Sequence, residues 1–221
     1  MKKILLGLAF LLCSCTMPIT YNDTHSLNSP NTNLLPAMHT KYNLANLKAA
    51  FSDVTDDKGK PDYAMRNVMA DDAVSIFEQD VENNITVGKG EKKGYISLRI
   101  QTVQLEYSLP IRTASVATLG LLNIVGFPVD KHTQTMDVEV EIMDKKQGVI
   151  KRYTQTVESS AYRAFYWGYK RKNVNRKVSA DNVKKAMALI RNQINTDAPE
   201  IKQKLEQQNT RKKQNKSKKK K

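Results

Sequence analysis

The chain is short of the residues that carry most recognisable chemistry. Among 221 residues there are only 2 Cys, 9 Gly, 7 Pro and 3 His, and aromatic residues make up 7%. Two cysteines cannot staple a disulfide scaffold, and so little glycine and proline excludes collagen-like and low-complexity classes. No apolar run reaches the roughly 20 residues that cross a bilayer as a helix, which excludes a multi-span membrane protein. Catalytic motifs are equally scarce. His25, His39 and His132 stand apart in sequence, and there is no nucleophile elbow or His/carboxylate metal spacing. Gly88-Lys89-Gly90 leads into a strand pattern instead of a helix, so it does not make a phosphate loop. These absences predict a non-enzymatic protein with no cofactor and no metal. A hydrolase built from scattered Ser, Asp and His residues is the competing enzyme reading.

Charge is present in excess, but unevenly. The chain holds 36 Lys+Arg against 22 Asp+Glu, a formal net charge of +14. Eight of the basic residues crowd into 211–221 (RKKQNKSKKKK) and two more are Lys2 and Lys3, which leaves 26 basic against 22 acidic elsewhere. The basicity is therefore mainly a property of the tail. Near an anionic membrane each such residue contributes about 1 kcal/mol, screened by salt, while a solvated tail without a specific role is the plainer alternative.

The first fifteen residues, MKKILLGLAFLLCSC, set two lysines before an apolar run from Ile4 to Leu12. That run suits a secretory leader and is too short to span a bilayer. Leu12-Cys13-Ser14-Cys15 resembles a bacterial lipobox, with Leu three positions before Cys15 and a small residue just ahead of it. The resemblance implies that residues 1–14 are a signal peptide and that Cys15 is the lipidated N-terminus. Several acyl chains anchor a protein stably, at about 0.8 kcal/mol per buried methylene. Thr16 stands where an Asp would imply retention in the inner membrane, so the resemblance implies a lipid-anchored protein of the outer membrane facing the periplasm. Residues 15–33 then read as the lipidated cysteine and a Thr/Asn/Ser-rich tether, reaching roughly 20–25 Å as a flexible coil.

Apolar periodicity organises the rest. Met65, Met69, Ala73, Ile76, Phe77, Val81 and Ile85 recur at helical spacing and predict a helix over about 65–84, with Asp71 and Asp72 on its solvated face. From Ile96 the period becomes two. Its phase slips between Ile100 and Val103, which predicts a bulge near Thr102. Met136, Val138, Val140 and Ile142 alternate with acidic residues, and Asp144–Gly148 turns the chain into a β-branched strand from Val149 to Glu158. A last helix is predicted over Val178 to Gln193 with a Ser179 cap, interrupted at Ala198-Pro199 and continued by Ile201 and Leu205 as a polar helix that frays into the basic tail. The fold class is α+β, a small and mainly antiparallel sheet against two or three helices over 34–207, followed by a disordered polybasic tail at 208–221.

Two segments could make contacts. Residues 114–129, ASVATLGLLNIVGFPV, carry no charge, and Gly120, Gly126 and Pro128 break any long helix. They read either as a buried crossover or as an exposed element that places Leu119, Leu121, Leu122, Ile124, Val125 and Phe127 on a partner, a second protomer or the lipid interface. Downstream, Tyr162, Phe165, Tyr166, Trp167 and Tyr169 run into Lys170, Arg171 and Lys172. Such a mixture stacks on sugar rings or headgroups and meets anions, or else closes the core edge. Tyr162, Tyr166, Trp167, Tyr169, Lys170 and Arg171 are thus the alternative, glycan- or lipid-binding set. Nucleic acid is not an expected partner for a secreted lipoprotein.

The strand at 95–105, the MDVEVEIMDKKQGVIKRYTQTVES hairpin and the late helix are together similar to periplasmic lipoproteins with an anticodon-binding-like α/β domain, the curli-secretion lipoprotein among them. No pore-forming segment matches, so channel activity does not carry over. The resemblance implies an envelope lipoprotein acting as an accessory or assembly subunit of an envelope protein complex, with an envelope protein or a second copy as partner.

Overall fold

The computed structural model describes residues 34–55, 59–165 and 171–218. Cys15, the tether and the aromatic residues Tyr166, Trp167 and Tyr169 lie outside the described residues, as does Lys170. The elements run β1 (His39–Tyr42), α1 (Leu44–Ala50), α2 (Tyr63–Asp80) closing in a π-helical turn (Val81–Ile85), β2 (Gly94–Tyr107), α3 (Leu109–Ala117), α4 (Leu121–Ile124), β3 (Asp130–Asp144), β4 (Val149–Arg163) and α5 (Arg171–Lys218). The strands form one sheet in the order β1-β2-β3-β4. Among the described strands the β1–β2 pair is parallel and the β2–β3 and β3–β4 pairs are antiparallel. The α+β architecture predicted from periodicity is thus the one adopted.

Local chemistry starts and turns these elements. The Asp62 carboxylate accepts the Met65 N–H at 3.0 Å and caps α2. Asp144 accepts the N–H groups of Lys146 and Gly148 at 2.7 and 2.8 Å, which bends the chain from β3 into β4. The register between β2 and β3 shifts between Ile100 and Thr102. That bulge lets Ile96, Leu98, Ile100 and then Val103 all reach the core, where each is 6% exposed or less. Helices α2 and α5 cover this face, and Phe77, Met136, Val138, Met187 and Ile190 fill the space between them.

The α2 stripe behaves as its spacing predicts, with Met69, Ala73, Ile76, Phe77, Val81 and Ile85 all buried. Asp72 does not lie on a solvated face. It is 7% exposed, and the Arg176 guanidinium grips both its oxygens at 2.5 and 3.0 Å. The pair straps α2 to α5, a partner 104 residues away that local spacing does not register.

Helix α5 departs furthest from expectation. Ser179 is no cap, since it is buried inside the helix and the buried stripe already includes Val174 and Val178. Pro199 does not break the helix either. An internal proline costs about 3 kcal/mol. Ile194, Ala198, Ile201 and Leu205 flank it and are all at most 1% exposed, and burying one such aliphatic side chain returns about 1.5–3 kcal/mol. Tertiary packing therefore overrides the local signal. The α5 backbone is helical from Arg171 to Lys218. Extending an existing helix adds a hydrogen bond per residue fixed, without a new nucleation cost.

Candidate functional site

The segment joining β2 to β3 is an exposed helical hairpin, not a buried crossover. Pro110 sits in the first turn of α3, where its missing N–H is tolerated. Helix α3 ends at Thr118, whose N–H and hydroxyl both reach the Ala114 carbonyl, at 3.2 and 2.9 Å. The chain then reverses through two consecutive left-handed residues, Leu119 at φ 51° and Gly120 at φ 80°. Glycine takes this conformation freely, whereas in an L-residue it costs about 1–2 kcal/mol. Leu119 bears that strain while 92% exposed.

Inside and outside are inverted in this hairpin. Asn123 is 3% exposed and Ser115 8%. The Asn123 amide donates to the Ser115 hydroxyl and to the carbonyls of Phe127 and Pro128, each at 3.1 Å. A buried amide must find partners, so these bonds fix Asn123 inward and lock the two arms together. The aliphatic residues consequently point out. Leu121, Ile124 and Val125 are 65%, 57% and 81% exposed, and Leu109 and Val116 join them. Leu122 is less exposed, and Phe127 is half-buried at the base. Six predicted contact residues are therefore brought onto one hairpin, five of them exposed.

Beneath it the sheet interior turns polar. Asp130, His132 and Gln134 follow one another along the inner face of β3, and Asn175, Ser179 and Asn182 face them from α5, all six buried. His132 Nδ1 lies 2.7 Å from the Asn175 amide oxygen, and Nε2 lies 3.8 Å from Asp130. Asn182 donates to the Gln134 carbonyl at 2.7 Å. Arg112 reaches Asp130 at 3.7 Å and lies over the Tyr107 ring. His132, isolated in sequence, is thus part of a polar bridge between sheet and helix. At 1% exposure it is enclosed between the sheet and α5. Sequence spacing misses this cluster because α5 contributes half of it, and its one local signal is the polar run Asp130, His132, Gln134 at period two.

The alternative aromatic-basic set is described only at Tyr162, which is 41% exposed, with the Lys131 ammonium 5.9 Å from its ring centre. For Arg171 the backbone alone is described. Among the described residues no group of three His, Cys, Asp or Glu could hold a metal ion. A polar groove of about 460 Å³ lies between β4 and α5, lined by Lys151–Thr154, Gln193, Thr196 and Asp197. Its charges are already matched. Lys151 pairs with Asp197 at 3.3 Å, and the Tyr153 hydroxyl donates to Asp197 at 2.9 Å. Burial and the neighbouring Asp197 raise the Tyr153 phenol above its ordinary range, consistent with its hydroxyl donating to that carboxylate. Elsewhere, burial raises the Asp80 carboxyl, opposed by Asn84 and by Arg191 at 2.6 Å.

Among the described residues no helix is long and apolar enough to cross a membrane. No family model matches the chain, and no curated protein matches it. Among solved structures, a candidate lipoprotein from Caulobacter crescentus CB15 aligns over 72% of this chain and 98% of its own, at 14% identity and a TM-score of 0.30. A likeness that slight carries no argument about fold or function.

Proposed function

We propose that this chain is a lipid-anchored, non-enzymatic lipoprotein of the bacterial cell envelope, an accessory subunit that contacts a second envelope component through the α3–α4 hairpin. The observation that carries the reading is the hairpin's inversion. Its amide and hydroxyl are spent internally, while Leu119, Leu121, Ile124 and Val125 face out. An exposed aliphatic patch of this kind marks an interaction site in a soluble domain. The lipobox-like Leu12–Cys15 supplies the anchor, and Thr16 after it favours the outer membrane.

Two measurements in the native host test this. Intact-mass analysis of the mature chain is expected to show acylation at Cys15, lost in Cys15→Ala together with membrane retention. A photo-crosslinking residue at Leu119 or Val125 is expected to give discrete envelope adducts that disappear with Leu121→Asp plus Leu122→Asp. Adducts no more frequent there than at Tyr63, an exposed residue on α2, would overturn the hairpin as the contact surface.

A further inference from the structure

We infer that the outer edge of β4 is a pairing surface for a second copy of this chain, laid antiparallel about a two-fold axis at Gln155. This surface is separate from the α3–α4 hairpin, and its test does not depend on what the hairpin contacts.

Strand β4 is the long edge of the sheet. Among the described strands it pairs with β3 alone, and it runs unbroken from Lys151 to Arg163, the register shift lying before Lys151. The opposite edge, β1, has only 4 residues. Successive residues of an antiparallel strand turn their N–H and C=O alternately toward a neighbour and away from it. The Arg163 carbonyl accepts the Val129 N–H at 2.7 Å on the β3 side, whereas the Glu158 carbonyl accepts the Lys185 ammonium of α5 at 3.0 Å. The backbone groups of Arg152, Thr154, Thr156, Glu158 and Ser160 therefore face outward. Such an edge is a template for another strand unless proline, a bulge or lysine blunts it. Between Lys151 and Arg163 there is neither proline nor bulge, and Lys185 guards a single carbonyl.

Side-chain chemistry selects a second copy and fixes its register. Residues 152–158 read Arg-Tyr-Thr-Gln-Thr-Val-Glu, a run that is self-complementary about Gln155. Antiparallel pairing there sets Arg152 opposite the partner's Glu158 and Thr154 opposite the partner's Thr156, each twice by symmetry. Pairs of this kind contribute about 0.2–1 kcal/mol each. A shift by two residues in either direction sets Arg152 against Thr156 or Ser160 and leaves the charges unmatched. Both charged groups are suited to the pairing. Glu158 is exposed, and no salt bridge among the described residues takes its carboxylate. Arg152 gives Nε and Nη2 to Glu141 at 2.8 and 2.5 Å and lies 3.7 Å from Glu139, which Arg99 also pairs. Its Nη1 is left to donate to a further carboxylate.

Helix α5 marks the same place independently. Lys185 stands over Glu158, and Gln193, Thr196 and Asp197 stand over Lys151–Thr154, where the groove is open. Leu189 is four residues from both Lys185 and Gln193, so it shares their side of the helix and overhangs the stretch between, at Gln155. It is 41% exposed, the one large exposed aliphatic side chain described on α5. Two-fold pairing joins the two sheets edge to edge and keeps both α5 helices on one face. Helix α5 packs over β3 and β4 together. Across the shared ladder the two helices stand about two strand spacings apart, about 10 Å, which is an ordinary helix-packing distance. Leu189 is then covered by its counterpart helix. Lys185 yields the Glu158 carbonyl to the N–H of the partner's Arg152, one exposed hydrogen bond exchanged for a ladder of them.

The mature full-length chain tests this. Gln155→Cys sets two cysteines face to face at a non-hydrogen-bonded position, with Cα atoms about 4.5 Å apart, a separation that a disulfide bridges. Mild oxidation in the native membrane is expected to give a dimer on non-reducing gels. Glu158→Cys, about 20 Å from its own counterpart, and Tyr63→Cys on α2 are expected to give none. The unsubstituted chain run alongside reports any crosslink through Cys13 or Cys15. In density-matched detergent, sedimentation equilibrium is expected to show a reversible monomer–dimer exchange. Thr154→Pro removes an N–H that β3 does not use, and is expected to weaken the dimer about tenfold or more. Glu158→Arg opposes two like charges and is expected to weaken it several-fold, with the unfolding midpoint of the monomer unmoved. A monomer at every concentration, a crosslink at 155 no faster than at Tyr63→Cys, or a dimer indifferent to both Thr154→Pro and Glu158→Arg overturns the inference. So does a 155 adduct whose mass is not that of two copies, which would identify a foreign strand on the edge.

Discussion

The two ends of the sheet obey one rule in opposite directions. Around Val138, Val140 and Ile142, apolar side chains point toward the helices, and on the opposite face of the sheet Glu139 and Glu141, 3% and 8% exposed, are covered by their ion pairs with Arg99 and Arg152. In the hairpin the amide of Asn123 and the hydroxyl of Ser115 point inward and the leucines outward. The difference lies in what surrounds each part. The central sheet is covered by α2 and α5, so water decides which side chains are hidden. The hairpin is too small to enclose a core, and a few buried hydrogen bonds hold it together instead.

Exchanging the chemistry of the two regions should break the comparison most forcefully. Val138→Asn places an unpaired amide in the apolar core, and a loss of several kcal/mol in urea unfolding is expected. The converse change, Leu121→Asp, is expected to leave the unfolding midpoint nearly unmoved, within about 0.5 kcal/mol. Equal losses would mean that the hairpin belongs to the core.

Arg191→Met leaves the Asp80 carboxylate buried without its guanidinium. A loss of about 3–5 kcal/mol is expected, because the remaining charge is uncompensated. Asn123→Ala is smaller and more local. Removing the three donor contacts should cost about 1–3 kcal/mol and speed hydrogen exchange across 118–127, with β3 amides unchanged. Uniform acceleration in both would show that the hairpin and the sheet open together. The smallest effect has the opposite sign. Leu119→Gly relieves the left-handed strain and is expected to raise stability by up to about 1 kcal/mol while lowering the yield of crosslinked adducts from Val125. A gain in stability with a loss of crosslinking would show that the leucine is kept for contact and not for folding.

Parts of this molecule are legible residue by residue. The α2 stripe, the bulge at Thr102 and the Asp144–Gly148 turn are all local, and each is present at its expected place. Helix α5 is less legible because two local signals, the Ser179 cap and Pro199, oppose a stripe that runs on through both. Burial of Val174, Val178, Ile201 and Leu205 settles the conflict. The contact residues from Leu119 to Val125 could be found by their lack of charge, but not their direction. An uncharged segment with two glycines and a proline serves equally well as a buried crossover.

The sequence by itself determined the alternations that build the sheet, the amphipathic face of α2 and the uneven distribution of charge, because each depends on neighbours within a few residues. Only the tertiary structure decided that the segment after β2 turns its leucines outward, that Asp72 and Asp80 are strapped to α5, and that His132 is enclosed between sheet and helix. Those outcomes depend on which distant groups hydrogen-bond or exclude water, and no spacing along the chain encodes that.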